Sequence, residues 1–154
     1  APVVVRSQKT GQRLIRPMVW GYPAPNGIGA DGQVNWVPNV RNLESPFWIG
    51  NLRHIELRCL VPATSFSLRA KGKSHQFGTA DSPIFVMAGI WRDLTDMPVF
   101  AILVTASSGY PRQVGAFAMP VLLEPHQYAK WLTADWKEAQ TLVTPFAGAL
   151  VEAN

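Results

Sequence analysis

The chain has 154 residues and a mass of 17.0 kDa, and its 47% hydrophobic and 16% charged residues supply a buried core and argue against disorder. No apolar run approaches the ~18–20 residues of a membrane span, and the single cysteine, Cys59, excludes a disulfide scaffold or a multi-cysteine metal site. The net charge of +4 is uneven: residues 1–80 carry ten Lys/Arg against three acids, a net +7, while residues 81–154 carry four against seven, a net −3.

The first residues lack the layout of a secretion signal, and the chain opens on Ala-Pro, which reads as a trimmed or partial chain. In chain order, strand-like segments are Val3–Arg6, Leu14–Gly21, Ile55–Val61, Ile84–Trp91, Val99–Thr105 and Met119–Leu122, each rich in β-branched or large apolar residues. Between the second and third of these, Gly21–Gly32 is dense in Gly and Pro and reads as a long loop. In Ile55–Cys59 the alternation places Ile55, Leu57 and Cys59 on one face and Glu56 and Arg58 on the other. Ser45-Pro46 predicts an N-cap with proline at the first helical position and a short helix toward His54. Glu124-Pro125 does the same for Pro125–Leu132. Thr133-Ala134-Asp135 then restarts a helix that runs to about Val143. Strands dominate and two helices come late, which predicts an α+β domain on a largely antiparallel, barrel-like sheet with a few short helices.

General chemical motifs are absent. Gly27, Gly29 and Gly32 spell a phosphate-loop pattern without its strand-to-helix context. His54, His75 and His126 lie far apart in polar stretches, so each reads as a surface residue and no metal site or cofactor is implied. Cys59 has the inward phase of a strand and reads as an inert core thiol. The basic half fits either a polyanionic partner or an ordinary solvated surface. Trp20, Trp36 and Trp48 cluster near Asn39 and Arg41, an arrangement suited to stacking bases while guanidinium groups hold phosphates. For Trp20 and Trp48 a core position is the better reading. For Trp36 the two readings compete.

Taken together, several segments resemble the SOS-response-associated peptidase (SRAP) family. They are Ala1-Pro2, Met18–Pro25 (MVWGYPAP), Asn39–Trp48 (NVRNLESPFW), Arg58–Ser67 (RCLVPATSFS), Phe85–Trp91 (FVMAGIW), Ile102–Ser108 (ILVTASS) and Ala118–Leu123 (AMPVLL), in the family's order. The resemblance implies one SRAP-like domain over residues 1–154, with the family's opening and closing segments missing at both ends. It implies a bacterial, cytoplasmic, nucleoid-associated DNA-damage protein that recognises abasic sites in single-stranded DNA. In the family an N-terminal cysteine attacks the ring-opened sugar and forms a thiazolidine cross-link. The N-x-R motif of the family matches Asn39 in the pocket and Arg41 as a phosphate contact. The wedge proline matches Pro2, and the pocket threonine matches Thr105. Arg53 or Arg58 would assist Arg41, with Trp36 as a further stacking platform.

Two departures stand out. The family's catalytic glutamate is Leu68 here, and its histidine position falls on Ala116, with no imidazole between Val114 and Ala118. Neither side chain carries a proton, and losing one general acid–base group typically slows such chemistry by ~10²–10⁴. The leading expectation is therefore a domain that binds single-stranded or abasic DNA with degenerate cross-linking and autopeptidase chemistry, a pseudoenzyme of a hydrolase family, though whether any enzymatic activity persists stays open. One alternative is an active cross-linking enzyme whose cysteine lies upstream. Another is a structural or partner-binding remnant in which Leu68 and Phe117 fill the former pocket and Arg41 pairs with an acid such as Glu44.

Overall fold

The computed structural model of the protein describes residues 1–28 and 31–153. Strands β1 (Pro2–Arg6) and β2 (Arg13–Pro17) form an antiparallel hairpin in which Val3 and Val5 point into the core. The chain continues through β3 (Val19–Trp20), β4 (Tyr22–Ile28), β5 (Val34–Val37) and β6 (Asn39–Val40). The Gly/Pro-rich stretch expected as a loop is instead largely strand. β4 pairs with β5 as a separate two-stranded ribbon, with a shift in register between Pro23 and Ile28. Proline is compatible there because both strands of a two-stranded ribbon are edges, where an N–H can be spared. Gly29 and Ala30, inside the expected loop, lie outside the described residues, as does the third-position glycine match they carried.

Helix α1 (Pro46–Arg53) forms as expected: the Ser45 hydroxyl accepts from the Phe47 amide and Trp48 and Leu52 are buried. The strand expected from Ile55 begins only at Arg58. Ile55–Leu57 make a 3-10 turn, and β7 (Arg58–Ala63) follows. Next comes a hairpin absent from the sequence expectations, β8 (Phe66–Ala70) and β9 (Lys73–Thr79). Its tight turn is Lys71-Gly72, with φ of +52° and +78°. Positive φ at both central residues is the hallmark of the turn that matches strand twist. The two long strands β10 (Phe85–Asp93) and β11 (Pro98–Ala106) then form the next hairpin. A short helix α2 (Gly109–Gln113) leads to β12 (Ala118–Pro120) and β13 (Leu122–Leu123). The late helical region is shorter and more broken than expected. It comprises a 3-10 turn at Pro125–Gln127, α3 (Tyr128–Thr133), α4 (Trp136–Ala139) capped by Asp135, and a 3-10 turn at Gln140–Leu142. Strand β14 (Leu150–Glu152) closes the described chain against β9.

The main sheet runs β12-β11-β10-β7-β1-β2, with β13 added to β10 and with β3 and β6 added to β11. It is antiparallel except for the β3 and β6 pairings with β11. The domain is thus α+β, an antiparallel-rich sheet curled into a half-barrel and flanked by a few short helices. The curl arises where β10 and β11 part company. They pair from Gly89 to Asp93, but below that point β10 pairs with β13, and residues 118–123 are wedged between the two strands. Backbone bonds from Ala88 N–H to Val121 O (2.9 Å) and from Val121 N–H to Leu103 O (2.9 Å) stitch the wedge on both sides.

Both faces of the sheet are buried, which is why its central strands read as nearly continuous apolar runs. One face packs Leu60, Ala88, Ile90, Ala101 and Leu103 against Trp48, Leu52 and Trp131 of the helices. The other packs Cys59, Val61, Met87, Phe100 and Ile102 under the β8–β9 hairpin, with Phe66 and Phe77. Gly89 stands at the fork. A Cβ there would lie 2.9 Å from Cys59 Sγ, 2.9 Å from Val61 Cγ2 and 3.1 Å from the Ala101 carbonyl oxygen. Because those atoms belong to short side chains and backbone, they have little room to yield. The Gly89→Ala variant is expected to lose about 1–3 kcal/mol through overpacking, a fall in Tm of several degrees. An unchanged melting curve would show that the fork is not closely packed.

Candidate functional site

Strand β11 assembles the site. Two short segments share its outer edge, β3 at Val99 and Phe100 and β6 at Ile102 and Leu103, while β12 pairs at Val104 to Ala106 on the edge that faces β10. These pairings bring Trp20 opposite Phe100, Asn39 opposite Ile102, and Met119 opposite Thr105. The cleft between β11 with these flanking segments and the β8–β9 hairpin has a volume of about 410 Å³. Its walls include Trp20, Asn39, Arg41, Val61, Phe66, Leu68, Met87, Phe100, Ile102 and Met119. A shallower neighbouring hollow of about 320 Å³, which reaches Trp48 and Ser45, shares Asn39 and Arg41 with it.

The sequence expectations meet this geometry unevenly. Asn39, Arg41 and Leu68 are brought together in the cleft. Arg41 is exposed and takes part in no ion pair or side-chain hydrogen bond among the described residues; Asn39 is half-buried and its amide is likewise without a protein partner among them. Pro2 is exposed on β1, paired with Pro17, and lies just outside the cleft, next to Ala1 in its wall. Thr105 is half-buried one residue beyond Val104, which does line the cleft. Ala116 is buried beside the Ser107 hydroxyl, which donates to its carbonyl, and is not in the wall. Arg53 is exposed at the end of α1 over a different hollow, with Glu44, Ile49 and Trp136. Trp36 is 42% exposed on β5 and packs over Gly21, where φ of +120° and the 3.1 Å approach of Trp36 Cβ leave no room for a side chain.

Arg58 is the clear correction. Expected on the surface as a phosphate contact, it is 1% exposed. Its Nη1 donates to the Trp131 carbonyl (2.8 Å) and its Nη2 to the Ala134 carbonyl, at the end of α3. Burial pushes its pKa down, while Asp135 and Glu56 oppose that shift. The misreading follows from the 3-10 turn at Ile55–Leu57, which rotates Arg58 away from the face of Glu56. Trp20 is the opposite correction. Expected in the core, it is 53% exposed, with its ring stacked 6.4 Å from Phe100 and its indole N–H donating to the Pro38 carbonyl at 2.9 Å. Phe117, suggested as a pocket filler, is 94% exposed. The cleft is open.

Chemically, the described wall contains hydroxyls, one carboxamide and one guanidinium, but its named residues include no Asp, Glu, His or Cys. Cys59 lies beneath, wholly buried, and burial pushes its thiol up, away from thiolate formation. His54, His75 and His126 instead face Glu56, Glu152 and Glu124 at 3.1, 3.1 and 3.6 Å. His75 is 19% exposed and the other two are open to solvent. No group of three or more His, Cys, Asp or Glu among the described residues is arranged to hold a metal ion. No helix among them is long and apolar enough to cross a membrane. The residues that sequence reasoning missed are Trp20, Met87 and Met119, apolar positions that read as ordinary core.

The family model described as SOS response associated peptidase (SRAP) matches the chain over residues 1–154. No curated protein sequence matches it. Among solved structures, a protein from Bordetella bronchiseptica superposes with a TM-score of 0.71 at 16% identity, covering 100% of this chain and 83% of that one. A protein from Bacteroides thetaiotaomicron gives a TM-score of 0.66 at 19% identity, covering 99% and 73%. A phage-related protein from Bordetella bronchiseptica gives 0.67 at 17%, covering 99% and 77%. At these identities the likeness is one of fold.

Two outcomes check the placement of individual side chains. Replacing the buried guanidinium in Arg58→Met strands two carbonyls and is expected to cost roughly 2–4 kcal/mol, whereas Arg53→Ala should leave the melting temperature unchanged. Equal behaviour of the two variants would contradict the burial of Arg58. Cys59 is expected to resist a bulky thiol reagent in native buffer and to react fully in denaturant. Rapid native labelling would refute its burial.

Proposed function

The chain belongs to the SOS response associated peptidase family, and from that premise we propose that it binds single-stranded or abasic-site DNA as a damage-response domain whose cross-linking and autopeptidase chemistry is degenerate. The observation that carries this reading is the pairing of an unengaged guanidinium and an unengaged carboxamide, Arg41 and Asn39, at an open cleft walled by an exposed indole. A phosphate held by Arg41 sits between the two hollows that this residue joins, so a backbone can pass from one to the other. Asn39 has both a donor and an acceptor to offer a sugar or a base edge. Trp20, and more remotely Trp36, supply flat faces for stacking, which every base satisfies and which is therefore tolerant of sequence. The net +7 of residues 1–80, which contribute Trp20, Asn39 and Arg41, adds long-range attraction for a polyanion.

Degeneracy of the chemistry rests on Leu68. A carbon side chain at that position neither takes a proton from an attacking amine nor gives one to a departing oxygen. Binding has no such requirement. A remnant that had lost DNA would be expected to fill its cleft and neutralise Arg41, and neither feature accompanies the open cleft and unpaired Arg41 described above.

Fluorescence anisotropy with a labelled abasic single strand, titrated at several salt concentrations, tests the proposal. Binding is expected to weaken with salt, with a log–log slope of about −0.7 per phosphate contacted, and Arg41→Ala should flatten that slope by about one contact. Affinity weaker than micromolar with no dependence on salt would remove the DNA-binding reading.

A further inference from the structure

We propose that the cleft is built to take an intact, unpaired nucleobase of a single strand, in preference to the bare sugar of an abasic site. This rests on the nucleic-acid reading above and specifies what enters the site.

The cleft volume of about 410 Å³ falls within the ~300–1,000 Å³ typical of small-molecule clefts, and most of its wall is apolar. A sugar ring is small and carries oxygens on most of its edges. Placed against Leu68, Met87 and Met119, those oxygens would lose water without gaining partners, which is costly. A purine or pyrimidine has the complementary distribution: two apolar faces and polar atoms confined to its rim.

The aromatic wall is prepared for such a face. Phe100 backs the Trp20 ring with only 10° between planes, and the bond from its indole N–H to the Pro38 carbonyl fixes its orientation. That bond also uses up the one polar atom of the indole, so the ring offers the cleft a π-surface and nothing else. Met87 and Met119, both almost fully buried in the opposite part of the wall, are polarizable thioethers that adapt to a ring edge. Polar groups are few and sit where a rim and a phosphate would meet them. Asn39 is half-buried and unpartnered among the described residues, with a donor and an acceptor to match a base edge. Arg41 is exposed beside it for the phosphate.

The test compares two short strands of tetrahydrofuran-phosphate units, one uninterrupted and one with a single central adenine. Neither strand has other bases to compete for the cleft. The adenine strand is expected to bind roughly 5- to 150-fold more tightly, the range expected from one aromatic–base stack. With 2-aminopurine in place of adenine, its emission should be quenched on binding. Trp20→Ala should abolish the preference while leaving the salt dependence intact. Leu68→Gln, which puts an amide in the apolar wall, should reduce the preference and serves if Trp20→Ala does not fold. Equal or weaker binding of the adenine strand, with a normal salt slope, overturns this inference and leaves the DNA-binding reading standing. Salt-independent or absent binding of both strands, and of an ordinary single strand, overturns that reading itself.

Discussion

The site depends on a backbone constraint: a single strand edge can satisfy only one partner at each position. β11 gives one edge to β10 and, past the end of that pairing, to β12, and it divides the other between β3 and β6, each of these short segments pairing over two or three residues. Such short pairings are weak alone and are held in place by the packing around them. Their benefit is placement. A chain that touches β11 at positions 99–100 and again at 102–103 must deliver Trp20 and Asn39 to one wall of a cleft, whatever path it takes in between. The intervening ribbon of β4 and β5 is free to project without disturbing that wall.

The two arginines that bracket this region show how context decides what a charge does. Arg58 is buried against Trp131, whose indole N–H in turn donates to the carbonyls of Cys59 and Gly89, so helix α3 is locked to the central strands from both directions. Its guanidinium completes the carbonyl end of a helix that has no glycine cap, a structural duty favoured by the several donors of an arginine. Arg41 follows a two-residue strand and is left in solvent. A count of positive residues treats them alike; the fold gives one to the core and one to the surface.

Much of the fold was legible because both sheet faces are buried, leaving long apolar runs at Phe85–Asp93 and Pro98–Ala106 bounded by turns. The helix cap at Ser45 was also readable, since its side chain meets a backbone amide that the helix leaves open, whereas Asp135, expected inside the first turn of a helix begun at Thr133, is itself the cap of a shorter one. The β8–β9 hairpin was missed although its signal was present. Phe66, Leu68 and Ala70 alternate with polar residues, and Lys71-Gly72 supplies the turn, but the serines and charges around them mask the pattern. Of the residues that line the cleft, Asn39, Arg41 and Leu68 are the ones that motif resemblance singles out in the sequence. Trp20 and Arg58 were assigned to the wrong environments, because local alternation cannot register a 3-10 turn at Ile55–Leu57 or the stacking of Trp20 on a strand far along the chain.

The sharing of β11 among these short segments also bears on how the domain folds. Trp20 and Asn39 precede by a long stretch of sequence the strand they dock on, and Met119 follows it. During synthesis the early segments must therefore wait, their hydrogen-bonding groups turned to water, until residues 98–106 emerge and a template exists. Closing loops of that length before any contact rewards them slows the search for the native state. Maturation of the cleft is consequently a late event, and a nascent chain interrupted before Pro98 holds the residues of one wall without the strand that would align them.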